Sequence, residues 1–339
     1  MKKEKNKILV TGGLGFIGSH TVVELQNEGF DVIIIDDLSN SKIEVLDGIT
    51  SISGKKPEFI QFDLKDKKLV QQFFKDHKID GVIHFAASKA VGESVEKPLQ
   101  YYENNIATLV FVLQEMVKNK VKNFIFSSSC TVYGQADKLP ITENAPIKPA
   151  ESPYGNTKQM GEEILKNTAK VKDISVIALR YFNPIGAHKS AIIGELPIGV
   201  PQNLIPFVTQ TAAGIRKELL VFGDDYPTPD GTAIRDYIHV VDLAKAHVSA
   251  LNRLLKKQNK TNFETFNVGT GKGSSVLEVI TAFEKVSGNK LNYKIVGRRE
   301  GDITSAYADT TLANKELGWK SELSLEDALD AAWKWQMKQ

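Results

Sequence analysis

The chain has 339 residues and balances 43 Lys and Arg against 41 Asp and Glu, for a formal net charge of +2. That balance leaves no basic footprint for nucleic acid, and no run approaches the roughly 20 apolar residues of a membrane span. Cys130 is the only cysteine, which excludes an internal disulfide and suits a reducing cytoplasm; the six histidines show no ligand spacing, so no metal is expected.

The charged opening Met1–Lys7 imitates a secretory n-region, but the apolar run behind it is short and breaks into glycines, so it reads as a solvated cap. Lys7–Thr11 has the pattern of a short buried strand, and Gly12-Gly-Leu-Gly15-Phe-Ile-Gly18 follows at once. Ile17 to Glu28 then repeats apolar residues at helical spacing. Strand, glycine turn and helix together form a dinucleotide-binding unit. Gly12 permits the turn, Gly15 the approach of a pyrophosphate and Gly18 the packing of helix on strand. The bare N–H groups opening the helix attract the diphosphate. A second strand from Asp31 ends in Asp36, 18 residues beyond Gly18. A carboxylate there accepts hydrogen bonds from a ribose and repels a 2′-phosphate, which favours NAD over NADP.

Glu58–Phe62 reads as a third strand leading to Asp63, and Lys65–Lys78 as a helix. Gly81–Phe85 and Asn123–Ser127 are further buried strands, separated by a long helical stretch from Pro98 to Asn119. Ala107 to Leu113 in that stretch is apolar nearly all round, more than one sheet face covers, which suggests an added interface and a helix-paired dimer. Ser175–Tyr181 and Glu264–Val268 complete the strands. This alternation predicts an α/β fold with a Rossmann-type doubly wound parallel sheet, its ligands at the carboxyl ends of the strands. From about Pro184 the pattern changes: 184–206 and 223–231 are rich in glycine and proline. Such segments suit a smaller mixed α/β substrate-binding domain over the open end of the sheet. The expected division is 1–183 for the NAD-binding domain, with 236–268 returning to it, and 184–339 for the substrate domain. The helix from Leu325 to Lys338 reads as packing, anchored by Trp333 and Trp335.

Tyr154-Gly-Asn-Thr-Lys158 puts a phenol and an ammonium one turn apart on a helix face. A cation there favours the phenolate, a general base for an alcohol proton. Bringing a phenol from about 10 to near 7 takes roughly 4 kcal/mol of differential stabilisation. The spacing alone is weak, since a lysine-rich chain with nine tyrosines yields roughly one such match by chance. The glycine unit and Ser127-Ser-Ser129 at the end of the fifth strand change its meaning. A serine there can hydrogen-bond a substrate oxygen and share its proton with the phenol.

With these groups in place the chain resembles the extended short-chain dehydrogenases/reductases, and over essentially its full length the UDP-galactose 4-epimerases. The motifs that carry the resemblance run in order: Thr11–His20, Phe85–Ser94, Ser127–Gly134, Tyr154–Lys158, Arg180–His188, Asp230–His239 and Arg298–Asp302. The resemblance implies that Tyr154 takes the proton of the sugar 4-hydroxyl while hydride passes to NAD. It gives Lys158 the role of holding the phenolate and the nicotinamide ribose, and Ser129 that of binding the sugar oxygen. NAD contacts are then implied for Gly12, Gly15, Phe16, Ile17 and Gly18, for Asp36, Asp37, Leu38, Ser39 and Asn40, and for Asp63 and Leu64. Phe85, Ala86, Lys89, Asn104 and Tyr181 extend that set. UDP-sugar contacts fall on Phe182, Asn183, Asn203, Leu204, Phe222, Arg235, Arg299, Asp302 and Ala306, beside Ser129 and Tyr154. The two arginines match the cations that a substrate diphosphate needs. The implied assembly is a homodimer through helices 98–119 and 153–171. Some family members carry a tyrosine four residues after the Asp of the Arg-Glu-Gly-Asp motif, closing the pocket beside the sugar 2-substituent. Counting from Asp302 gives Ala306, with Tyr307 one place on, so N-acetylated sugars are expected to fit as well. Two other readings share much of this pattern. A nucleotide-sugar 4,6-dehydratase needs a carboxylate just after the strand-five serine, where this chain has Cys130 and Thr131. A non-catalytic NAD-sensing protein would not need the complete Ser129, Tyr154 and Lys158.

Overall fold

The computed structural model describes residues 5–299 and 302–339. Met1–Glu4 of the charged cap, and Glu300 and Gly301 of the Arg-Glu-Gly-Asp motif, lie outside the described residues. The first half alternates strand and helix: β1 (Lys7–Thr11), α1 (Phe16–Asn27), β2 (Asp31–Asp36), α2 (Glu44–Ser53), β3 (Glu58–Gln61), α3 (Lys67–Asp76) and β4 (Gly81–His84). Next come α4 (Val91–Glu96), α5 (Pro98–Tyr102), a π-type turn (Glu103–Ala107), α6 (Thr108–Lys118), β5 (Asn123–Ser127), α7 (Pro153–Val171) and β6 (Ser175–Tyr181). The second half runs β7 (Asn183–Ile185), α8 (Leu204–Ala212), β8 (Leu219–Phe222), β9 (Ile234–Arg235), β10 (Tyr237–His239), α9 (Val240–Leu255) and β11 (Phe263–Val268). It closes with β12 (Ser274–Ser275), α10 (Val276–Ser287), β13 (Tyr293–Val296), β14 (Ser305–Ala306), α11 (Thr311–Leu317) and α12 (Leu325–Gln336).

Seven strands form one sheet in the order β11-β6-β5-β4-β1-β2-β3, and every pairing in it is parallel. Such strands are buried on both faces, which is why β1, β2 and β4 read as continuous Val/Ile/Leu runs. One face packs on α1, α9 and α11 through Val22, Leu25, Leu243, Leu251 and Ala313. The other packs on α3, α6 and α7 through Phe73, Val112 and Leu165. The order reverses between β1 and β4, and a crevice opens there at the carboxyl ends. The helix α9 packs on this sheet and the strand β11 pairs with β6 at its edge.

A second core gathers α8, β8, α10 and α12 around Val208, Val221, Phe283 and Leu329. Serine capping boxes start α10 at Ser275 and α12 at Ser324, each answering a donor that a helix N-terminus leaves open. Trp333 meets Phe283 edge to face. The indole of Trp335 donates to the Glu195 carbonyl at 2.9 Å, so this helix also holds the segment beside the crevice.

The stretch from Pro98 to Asn119 is helical but not uniform. Its π turn rotates Asn104 and Asn105 out of the ordinary α register. In the apolar run that follows, Leu109, Val112 and Leu113 are in the core, whereas Val110 and Phe111 are only half-buried.

Candidate active site

A cleft of about 790 Å³ follows the carboxyl ends of β1 to β6. Its floor is the first glycine turn. Gly12 has φ +67°, and a Cβ there would sit 2.8 Å from the Ala86 amide; a Cβ on Gly18 would sit 2.2 Å from the Gly12 carbonyl oxygen. Both positions therefore admit only glycine. No side chain caps α1 at Gly15 and no acidic residue sits in its first turn. The N–H groups of that turn face the cleft as an anion cradle. Asp36 closes one end, with one carboxylate oxygen accepting from the Leu14 amide at 3.0 Å and the other from the Leu38 amide and the Ser41 hydroxyl. A cradle that a Cβ would fill, a bare helix terminus and a fixed carboxylate together fit an adenine dinucleotide with a free ribose.

Of the residues expected around NAD, the cleft is lined by Gly12, Gly15, Phe16, Ile17, Gly18, Asp36, Asp37, Ser39, Asn40, Asp63, Leu64, Phe85, Ala86, Lys89, Asn104, Tyr154, Lys158 and Tyr181. Leu38, also expected there, has a left-handed backbone at φ 63°; its side chain packs against the sheet core and its amide donates to Asp36.

At the far end, Ser152 caps α7 and Pro153 opens it, and Tyr154 and Lys158 then lie a turn apart and buried. The Lys158 ammonium donates to the Ser127 carbonyl at 2.6 Å and lies 5.8 Å from the Tyr154 ring centre. Burial brings its pKa down to about 8, against the pull of Glu162. Burial raises the Tyr154 phenol well above its ordinary value, with Tyr181 adding to the rise and a hydrogen bond with Ser129 opposing it. Desolvation of the phenolate is the largest influence on this group. The Ser127 hydroxyl shares a 2.6 Å hydrogen bond with Tyr181, which fixes that ring.

The residues expected around the UDP-sugar fall into two groups. Asn203 lines the cleft, and its side-chain amide donates to Glu195 at 2.7 Å. Ser129 sits at the Tyr154 end, buried. Phe182 and Ala306 pack together with Val132 and Tyr133 in a small cluster next to it. Beyond them Arg235 lies 3.6 Å from Asp302, and Arg299 donates to the same carboxylate at 2.8 Å while covering the Phe222 ring at 5.7 Å. One carboxylate thus organises both arginines. Asn183 is half-buried, with its backbone N–H donating to the Asp236 carbonyl at 2.9 Å. Leu204, the first residue of α8, packs on the second core.

Residues beyond those expected also build the site. Asn105, buried by the π turn, accepts from the Ser88 amide at 2.8 Å and donates to the Ser88 carbonyl and to Thr157. It ties the loop after β4 to the catalytic helix. Two adjacent asparagines inside an apolar helix are poor helix formers, and that was the available signal. Glu195 pairs with Lys89 across the cleft at 3.4 Å, and nothing in its local sequence marks it.

A parallel sheet with a glycine turn at its switch point, and a Tyr–Lys pair facing a strand-end serine, defines a short-chain dehydrogenase/reductase. Residues 9–331 match the family described as GDP-mannose 4,6 dehydratase. The UDP-glucose 4-epimerase of Drosophila melanogaster is 51% identical over 336 residues, covering 97% of this chain and 96% of that protein. The Bifidobacterium longum UDP-glucose 4-epimerase, solved with NAD+ and UDP, superposes with a TM-score of 0.94 at 48% identity over 98% of both chains. The Stenotrophomonas maltophila enzyme, with bound NAD and formylated UDP-arabinopyranose, gives 0.95 at 48% identity, covering 99% of this chain and 98% of its own. This chain belongs to the UDP-glucose 4-epimerase family, among the extended short-chain dehydrogenases/reductases.

Proposed function

We propose that the protein interconverts UDP-galactose and UDP-glucose by NAD-dependent epimerisation at carbon 4. The observation that carries this reading is the meeting, in one crevice, of the glycine cradle with Tyr154 and Lys158, with Ser129 hydrogen-bonded to the phenol and the arginines paired to Asp302 supplying cations for a diphosphate. Tyr154 removes the 4-hydroxyl proton, Ser129 holds the sugar oxygen, and Lys158 supplies the cation that the phenolate requires. NAD, when bound, supplies the hydride acceptor and the positive charge of its oxidised ring. Arg235 and Arg299 hold the diphosphate and Phe222 stacks on the uracil, so the 4-keto sugar can turn about its diphosphate link and be reduced on the opposite face. The elimination reading lacks support, since Cys130 and Thr131 supply no carboxylate and burial holds the Cys130 thiol up at about 11.

The same reading divides the chain into 1–183 with 236–268 for NAD and 184–339 for the sugar nucleotide. It includes a homodimer through 98–119 and 153–171, where Leu99, Met160 and Val171 are exposed at 80%, 39% and 74%, and residence in the cytoplasm. Among the described residues no helix is long and apolar enough to cross a membrane. The pocket also takes N-acetylhexosamines. Ala306 is buried beside Phe182, while the Tyr307 ring packs against Gly273 on the other side of the strand. The test is incubation with UDP-galactose without added reductant. Appearance of UDP-glucose supports epimerisation; accumulation of a 4-keto or 4-keto-6-deoxy product overturns it.

A further inference from the structure

Tyr154, Lys158 and Glu162 stand at i, i+4 and i+8 on α7, so one face of the helix carries phenol, ammonium and carboxylate in sequence. Glu162 is buried and is not itself among the expected ligand contacts. Arg180 on β6 grips it with two hydrogen bonds of 2.9 and 2.6 Å, and the Ser128 hydroxyl donates to it at 2.6 Å. Ser128 stands between Ser127, whose carbonyl receives the Lys158 ammonium, and Ser129, which faces Tyr154. Arg180 is held in turn by the Tyr133 hydroxyl at 3.0 Å and the Glu143 carbonyl at 3.3 Å. Among the described residues no carboxylate lies within ion-pair distance of Lys158, and the charge nearest along its own helix face is Glu162.

We propose that Glu162 is a positioning residue of the site: its carboxylate keeps Lys158 charged and, through Ser128, sets the strand-five serines against Tyr154. This rests on the epimerase reading for its consequence in catalysis, though not for the charge coupling itself. A buried ammonium is costly to maintain, and two kinds of group act on this one. His84 on β4, Phe126 on β5 and Tyr181 on β6 supply neutral walls, His84 being held uncharged by burial at about 3. Tyr154 is the neutral phenol on its own helix. Of the charged groups on the other packed elements, Glu93 on α4 is engaged by Lys97 and Tyr101, Glu264 on β11 by Arg253, and Glu103 of the π turn is exposed to solvent. That leaves Glu162, attracting the ammonium, and Arg180, opposing it.

The two are separable by sign. In full-length protein carrying ¹³Cε-lysine, the Lys158 resonance, assigned by its loss in Lys158→Met, is followed against pH. Glu162→Gln keeps the shape and leaves Arg180 uncompensated, so the Lys158 midpoint moves down by about one pH unit or more. Arg180→Gln frees the carboxylate and moves the midpoint up, which also serves if Glu162→Gln does not fold. Glu264→Gln breaks the distant Arg253 pair and moves neither. The alkaline limb of UDP-galactose turnover follows the same order, whereas a purely structural pair lowers turnover at every pH without moving the limb. Unmoved midpoints in Glu162→Gln and Arg180→Gln overturn the proposal. Shifted midpoints in a protein whose parent turns over no UDP-hexose keep the coupling and overturn the epimerase reading alone.

Discussion

The two halves of the crevice are built on different principles. The dinucleotide half is backbone: a glycine turn, a bare helix end and strand termini whose positions follow from the parallel sheet. The sugar-nucleotide half is side chains that occupy one another. Arg235 and Arg299 share Asp302, Arg298 stacks on Tyr226 at 4.0 Å and pairs with Asp225, and Glu195 takes both Lys89 and Asn203. The first half is rigid before anything binds, because its donors cannot move without unmaking the sheet. On the proposed reading the second exchanges internal ion pairs for contacts to the ligand, which makes its affinity a difference between two sets of charge-assisted bonds. Tyr154 and Lys158 sit where the halves meet.

That contrast is tested first at the junction. Tyr154→Phe removes a group that acts only as the proton moves, so turnover should fall by roughly 10²–10⁴-fold with UDP-sugar binding nearly unchanged. Steady-state kinetics beside calorimetric titration with UDP checks this; equal losses in both would place Tyr154 among the binding groups. Lys158→Ala should cost less and report differently. Burial already opposes the phenolate, and loss of the cation raises the phenol further, so the acidic limb of the pH–rate profile should move to higher pH. The parent's alkaline limb should lie near 8, where the ammonium is lost as pH rises. A variant with both limbs unmoved would mean that Lys158 does not tune Tyr154.

Legibility in the sequence follows the same divide. The glycine turn, Asp36, the seven parallel strands and the Tyr–Lys helix were all readable, because each depends on local periodicity or on a residue only one backbone geometry tolerates. The exchange of partners around Asp302 was not, since the arginines come from β9 and from the loop after β13, 64 residues apart. Nor was the burial that raises the Tyr154 phenol, for desolvation is a property of the packed site and not of i, i+4 spacing. The core packing of the Leu38 and Leu204 side chains was equally hidden, since it depends on distant elements.

The exchange model for the second half predicts a graded effect at Arg235. Arg235→Gln removes a charge that a diphosphate needs, and a hydrogen bond to a charged group is worth about 1.5–3 kcal/mol. KM for UDP-galactose should therefore rise on the order of 10- to 100-fold with kcat little changed. Raised ionic strength should weaken parent binding more than variant binding. An unchanged KM would assign Arg235 to Asp302 alone.

The smallest change tests shape instead of charge. Ala306 lies at the end of β14, paired with Arg235 in register and packed among Phe182, Val132 and Tyr133, on the side where the proposed function puts the sugar. Tyr307, just past the end of β14, packs on Gly273 instead. The two side chains therefore meet different neighbours, and the proposed gate is position 306. Ala306→Tyr puts a phenol ring into the space beside the sugar 2-substituent. A hydroxyl clears such a wall and an N-acetyl group does not, so kcat/KM for UDP-N-acetylgalactosamine should drop at least about tenfold while that for UDP-galactose stays within a few-fold. The packed neighbours could instead force the new ring outward, and Ala306→Ser controls for this: it adds one atom, leaves the space open and should keep both activities. Equal losses of both sugars in Ala306→Tyr would signal a collapsed pocket. Undiminished N-acetyl activity would remove position 306 from the specificity of this site.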